Sequence, residues 1–228
     1  SKADARLYSS VMTQDPIQGA LNMLRNCAEA RPGDRFLVVH EEPGQDHYDR
    51  ESVAAVIDAA RQMGAEARAL EIPFRAEVGP VPASLRAAMD RADRTIFMAR
   101  IGDQLRFGQD LGGQATVCYA LDAGMLGSPF GTVDHRAILE LKDALNAALN
   151  AAGTIRVTCP KGTNFTGPGG TVLPGDVGIS RFPMSIFTPV SAMAFSGNVA
   201  LPGFLVGTGS QYYEPYGVTY EGRLLARF

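Results

Sequence analysis

Cysteine is scarce in this chain. There are three in 228 residues, Cys27, Cys118 and Cys159, far apart and odd in number. That excludes a disulfide framework and a CxxC metal knuckle, and among apolar neighbours each reads as a small core hydrophobe. An excess of one charge is also missing. Lys and Arg total 21 against 24 Asp and Glu, interspersed to a net −3, so neither a basic face for nucleic acid nor a cationic helix for a membrane surface is present. No apolar run approaches the ~18 residues of a membrane span. The first residues, SKADARLYSS, lack the charged-then-apolar plan of a signal peptide. Nucleophile elbows, Walker-type phosphate loops and dinucleotide fingerprints are absent, and no cysteine sits in an electropositive setting. These absences predict a cytoplasmic protein that works without a cofactor and without nucleic-acid or membrane partners.

What is present, up to residue 159, is alternation of helix and strand signals. Asp15–Pro16 pairs a capping residue with proline at the first helical position, and Ile17, Leu21, Leu24 and Ala28 recur at helical spacing. FLVVH (36–40) is a short β-branched run suited to a strand buried on both faces. Val53, Val56, Ile57, Ala60 and Met63 make one apolar stripe that Gly64 closes, and ARALEI (67–72) returns as a strand, completing a βαβ unit. A weaker helix is predicted over 83–92, a strand at RTIFMAR (94–100), a long helix over 134–152 with Ile138, Leu141, Leu145, Leu149 and Ala152 on one face, and a last strand at IRVTC (155–159) that completes the set.

Past Cys159 the texture changes. Residues 160–228 hold 12 of the 25 glycines and 7 of the 14 prolines, with short apolar stretches between breaks and no helical stripe. The fold class implied is α/β: a Rossmann-like layered βαβ domain over 1–159, followed by a smaller Gly/Pro-rich β segment over 160–228.

Four stretches carry the chemical candidates. HEEPGQDHYD (40–49) gathers two of the three histidines and four carboxylates; it holds no HxxxH pattern, and its one HxE spacing, His40 to Glu42, falls at a strand end rather than on a regular face. It reads as a strand-to-helix loop with Asp49 capping the helix near Arg50, at most the rim of a ligand site. FGQDLGGQ (107–114) is a polar glycine-rich loop without a nucleophile–base pair. CPKGTNFTGPGG (159–170) follows a strand but leads into no helix, and reads as a tight turn in which Thr163, Asn164 and Thr166 bond the local backbone. QYYEPY (211–216) packs three tyrosines with a glutamate and a proline, a composition typical of interaction surfaces. Tyr212, Tyr213 and Tyr216 are the candidate peptide-binding residues; no catalytic and no metal-binding residue is assigned.

The stretch RVTCPKGTNFTG (156–167), with Pro160, Gly162, Thr163 and Thr166, resembles the thermophilic metalloaminopeptidases of the aminopeptidase T type and their relatives, the iron-dependent dihydroxypyridine ring-cleaving dioxygenases. CYALDAGML (118–126), the helix over 134–152 and GNVALPG (197–203) stand in corresponding order, so the resemblance runs from about residue 17 through most of the chain. Two departures follow. Where the family places a Gly-Glu pair whose glutamate binds metal, this chain has Gly203–Phe204, and a phenyl ring cannot coordinate a cation. The family's other ligands lie in a further carboxyl-terminal half; residues 205–228 hold no histidine, and His40, His47 and His135 match no ligand position.

The resemblance therefore implies a shortened, metal-free relative: a non-catalytic peptide-binding or scaffold protein. It would assist the maturation of a precursor peptide in natural-product biosynthesis, partnered by peptide or modifying enzyme and assembled as a homodimer or hetero-oligomer. The alternative is a subunit or fragment of a metal-dependent aminopeptidase or ring-cleaving dioxygenase.

Overall fold

Asp15 accepts the Ile17 N–H at 2.9 Å and Pro16 takes the first helical position, so helix α1 spans Pro16–Asn22. It runs directly into a π-helical turn, Met23–Cys27, closed by Ala28 N–H donating to the Met23 carbonyl at 2.9 Å. The segment ends with Glu29 in the left-handed region at φ 51°. The computed structural model describes residues 15–42, 48–75, 79–105, 114–158, 160, 164–168, 181–183, 186–189, 198–200 and 221–223.

Strands and helices then alternate. They run β1 (Arg35–Glu41), α2 (Arg50–Gln62), β2 (Glu66–Ile72), α3 (Ala83–Met89), β3 (Arg94–Met98), α4 (Arg100–Leu105) and β4 (Ala115–Cys118). Two short helices, α5 (Ala123–Leu126) and α6 (Pro129–Thr132), lead to the long α7 (His135–Ala151). Six short strands follow: β5 (Thr154–Thr158), β6 (Asn164–Pro168), β7 (Arg181–Pro183), β8 (Phe187–Pro189), β9 (Asn198–Ala200) and β10 (Glu221–Arg223).

The first four strands form a parallel sheet in the order β2-β1-β3-β4, and β8 extends it by antiparallel pairing with β4. This is an α/β layered fold. Alternating side chains serve two cores. Phe36, Val38, Ile96 and Met98 pack with α1 and α2, whereas Leu37, Val39 and Phe97 pack with Leu85 and Ala88 of α3 and Ile101 of α4. Burial on both faces is why β1 reads as a continuous apolar run. Gly64, at φ 78°, closes α2, a conformation a Cβ would strain.

The amino ends of the strands are held by arginines. Arg35 meets Asp93 at 2.8 Å, and Arg94 meets Asp34 at 2.7 Å while also donating to the Ala28 carbonyl and the Gln114 side chain. Burial raises the Asp34 pKa, but the bonds from Arg94 and the Arg31 N–H outweigh it, and the carboxyl ends below its ordinary value. The Arg35 guanidinium likewise holds Asp93 well below the usual carboxylate range.

The chain divides into two compact units, Ser1–His135 with Ile186–Ser191, and Arg136–Ser185 with Ala192–Phe228. The compositional step at 159 falls inside the second. In that unit β5, β6 and β10 form one antiparallel sheet, β7 and β9 another, and Leu141 and Leu145 of the α7 stripe are exposed.

Two local expectations are corrected here. IRVTC does not complete the parallel set: β5 pairs antiparallel with β6. The connection, residues 159–163, is far shorter than the dozen or more residues a parallel crossover needs. Asn164 and Thr166, expected in a tight turn, lie instead in β6, where the Asn164 side chain accepts from Arg156 Nε at 3.2 Å. Among the described residues no helix is long and apolar enough to cross a membrane.

Candidate functional site

Two places in the first unit offer unspent polar groups, a groove beside α1 and the carboxyl edge of the parallel sheet.

The groove exists because two helical segments meet backbone to backbone. Gly19 of α1 and Gly131 of α6 both lie against the Leu126 carbonyl oxygen, and a methyl group on either would overlap it. Asn22, buried among apolar neighbours, fastens the contact. Its Nδ2 donates to the Gly131 and Val133 carbonyls at 2.6 and 2.7 Å, and its Oδ1 accepts from Asn26 Nδ2 at 2.9 Å and His135 N–H at 3.1 Å. Two donors and two acceptor places exhaust what a carboxamide can offer.

Alongside runs an open cavity of about 420 Å³ whose polar lining is Asp15, Gln18, Arg25, Asn26, Thr132 and Asp134, with Leu21 and Pro129 as apolar wall. The π turn inserts a residue into the helical register where Arg25 and Asn26 stand, a distortion frequent at functional sites. Arg25 is exposed and makes no ion pair among the described residues. Asn26 gives one amide hydrogen to Asn22, leaving the rest of its carboxamide to the groove.

The carboxyl edge is built from the ends of β1, β3 and β4. Tyr48 O–H donates to the Cys118 carbonyl at 2.8 Å, and Asp49 N–H to the Leu121 carbonyl at 2.9 Å, so the entry to α2 is tied to the segment after β4. Asp49 caps α2 as the sequence predicts. Its Oδ1 accepts the Ser52 N–H at 2.6 Å and its Oδ2 the Ala123 N–H at 3.1 Å. Burial alone would raise its pKa, but these bonds prevail and lower it, so Asp49 is a structural anion with both oxygens engaged.

Glu41 differs. Its Oε1 accepts the Arg100 N–H at 2.6 Å, while its Oε2 is buried with no hydrogen-bond partner among the described residues. His40 turns its Nδ1 toward the Glu41 carbonyl at 3.2 Å.

Of the sequence candidates, His40, Glu41 and Asp49 share this edge; His47 lies outside the described residues, as do Tyr212, Tyr213 and Tyr216 and, of FGQDLGGQ, all but Gln114. His135 is buried in the core, its ring centroid 6.4 Å from that of Phe187. Burial pushes the Cys118 thiol up to about 12, which removes it as a nucleophile near neutral pH. Among the described residues no three His, Cys, Asp or Glu side chains gather in a way that could hold a metal ion. Sequence reasoning missed Gln18, Asn22, Arg25 and Asn26. The available signal was a pair of asparagines four apart within an apolar helix, a spacing that puts them on one face.

No protein-family model matches the chain, and no curated protein matches it. Among solved structures it is similar to 2,5-dihydroxypyridine dioxygenase from Pseudomonas putida, at 16% identity and a TM-score of 0.43, over 68% of this chain and 46% of that one. It is also similar to the methionine aminotransferase YbdL of Escherichia coli, at 11% identity and a TM-score of 0.26, over 83% of this chain and 71% of that one. The chain thus spans less than half the length of the dioxygenase. Neither likeness assigns it to a family.

Proposed function

We propose that this chain is a non-catalytic peptide-binding protein, a metal-free relative of the aminopeptidases its sequence resembles, and that a short peptide lies in the groove along α1. The observation that supports this reading is the chemistry of the groove wall. The primary amides of Gln18 and Asn26 each pair a donor with an acceptor, the complement of a peptide group, and the cavity of about 420 Å³ falls in the range of small-ligand sites. Arg25 adds a planar cation for the terminal carboxylate or an acidic side chain, which it can grip with two parallel bonds.

In this reading the protein presents a precursor peptide to a modifying enzyme, alone or as a dimer. Tyr212, Tyr213 and Tyr216 would supply apolar anchoring with polar tips as the peptide adds to a strand edge.

Titration of the full chain with a tripeptide pool, free or amidated at its carboxyl end, tests the groove. Arg25→Ala should weaken binding of the free-carboxylate pool about tenfold, the worth of one charge-assisted contact, and spare the amidated pool. Because Arg25 is exposed, stability should hold. Unchanged affinity removes the groove from the model. Tyr212→Ala examines the tyrosine contact in the same assay. Stoichiometric zinc, iron, cobalt or manganese in the purified protein would instead favour the enzyme-subunit alternative.

A further inference from the structure

The parallel sheet reverses its winding between β1 and β3. From β1 the chain leaves for α2 on one face, and from β3 it leaves for α4 on the other. The two exits diverge at the carboxyl ends, the position where sheets of this kind take ligands.

Glu41 ends β1 on one side of this point and Arg100 follows β3 on the other, joined by the 2.6 Å bond from the Arg100 N–H to Oε1. Arg100 offers its backbone here. That bond caps α4 and occupies one carboxylate oxygen; a neutral acceptor would cap as well. The second oxygen is buried and has no hydrogen-bond partner among the described residues, and a carboxylate oxygen kept from water without a partner is a cost that folds seldom leave standing.

We infer that Glu41 is the counter-ion for a small organic cation, a primary ammonium or guanidinium, carried by a ligand that enters at the carboxyl edge. The sign of the site excludes the usual occupant of such a position. The described charged side chains at this edge are Glu41, Glu42, Asp49 and Arg100, a net negative set, and the stretch after β1 lacks the glycine pattern that lets backbone N–H groups cradle a phosphate. A divalent ion asks for several oxygen ligands at once, and among the described residues no three metal-ligating side chains converge. One carboxylate oxygen suits an N–H donor cation. This inference is independent of the α1 groove, because no residue is shared between the two places.

Amide NMR titrations of the full chain with n-butylammonium and n-butylguanidinium chloride test it, with tetramethylammonium, which has no N–H to donate, and magnesium chloride as controls. At least one n-butyl cation should move the Arg100 amide resonance saturably while both controls leave it in place. Glu41→Gln keeps an acceptor for Arg100 and removes the charge; it should weaken that cation at least about tenfold and leave the thermal midpoint no lower than wild type. Equal affinity in wild type and Glu41→Gln overturns the inference. So does a saturable response to tetramethylammonium or magnesium, or no response at Arg100 to either n-butyl cation in wild type. A drop in midpoint with affinity unchanged would reduce Glu41 to a cap.

Discussion

The two ends of the parallel sheet are built from similar residues and finished differently. At the amino end, Asp34, Arg35, Asp93 and Arg94 neutralise one another and the Ala28 carbonyl is covered. At the carboxyl end, Asp49 is spent on two N–H groups, but Glu41 keeps one oxygen in reserve. The amino end is satisfied because nothing is asked of it beyond holding strands in register. The carboxyl end carries an unsettled electrostatic demand that only something outside the chain's described side chains would meet. On the inference drawn for Glu41, the contrast separates residues kept for stability from one kept for a ligand.

The sharpest way to break this comparison is to remove one charge from each end. Arg94→Met strips the partner from Asp34, whose side chain is 17% exposed, together with the bond to the Ala28 carbonyl, and should cost about 2 kcal/mol. Glu41→Gln should stay within about 0.5 kcal/mol of wild type. Urea unfolding of both variants reads the difference, and equal losses would erase the distinction between the ends.

Acid provides the next effect. The folded-state pKa values of Asp34 and Asp49 are lowered, so their contribution is fully present above the unfolded carboxylate value of about 3.9 and is lost as pH falls through the folded values, whereas solvent screens the exposed Asp93 and its share is small. The urea midpoint should therefore decline below about pH 4, and Asp34→Asn should flatten that decline. An unaltered slope in the variant would mean Asp34 is not among the groups responsible.

The smallest effect sharpens the comparison within the amino end. Arg35 and Asp93 are 55% and 42% exposed, and solvent screens such pairs. Arg35→Met should leave the urea midpoint essentially where it was. A loss matching that of Arg94→Met would show that exposure is the wrong criterion for ranking the two pairs.

Much of the first unit was legible from sequence, because its signals are local. The cap at Asp49, the stripe of α2, Gly64 and the runs of β1, β2 and β3 each follow from periodicity or capping chemistry within a few residues. β4 was not legible: ATVC is four residues long and buried, and no alternation marks so short a run. The π turn has no residue code either. The site residues were hidden for a different reason. Glu41 and Arg100 stand 59 positions apart, and Asn22 reaches Gly131 and His135 across more than 100. Nothing in a linear pattern announces a partner that only the strand order brings near.

Gly19 and Gly131 crowd the same Leu126 oxygen, so neither can acquire a side chain unless that carbonyl gives way. The close approach beside the groove is thereby written into main-chain atoms, whereas the contacts proposed for a ligand include the exposed side chains of Gln18 and Arg25, which can change without disturbing it. Substitution can therefore alter what the groove would hold more easily than how closely its helices meet.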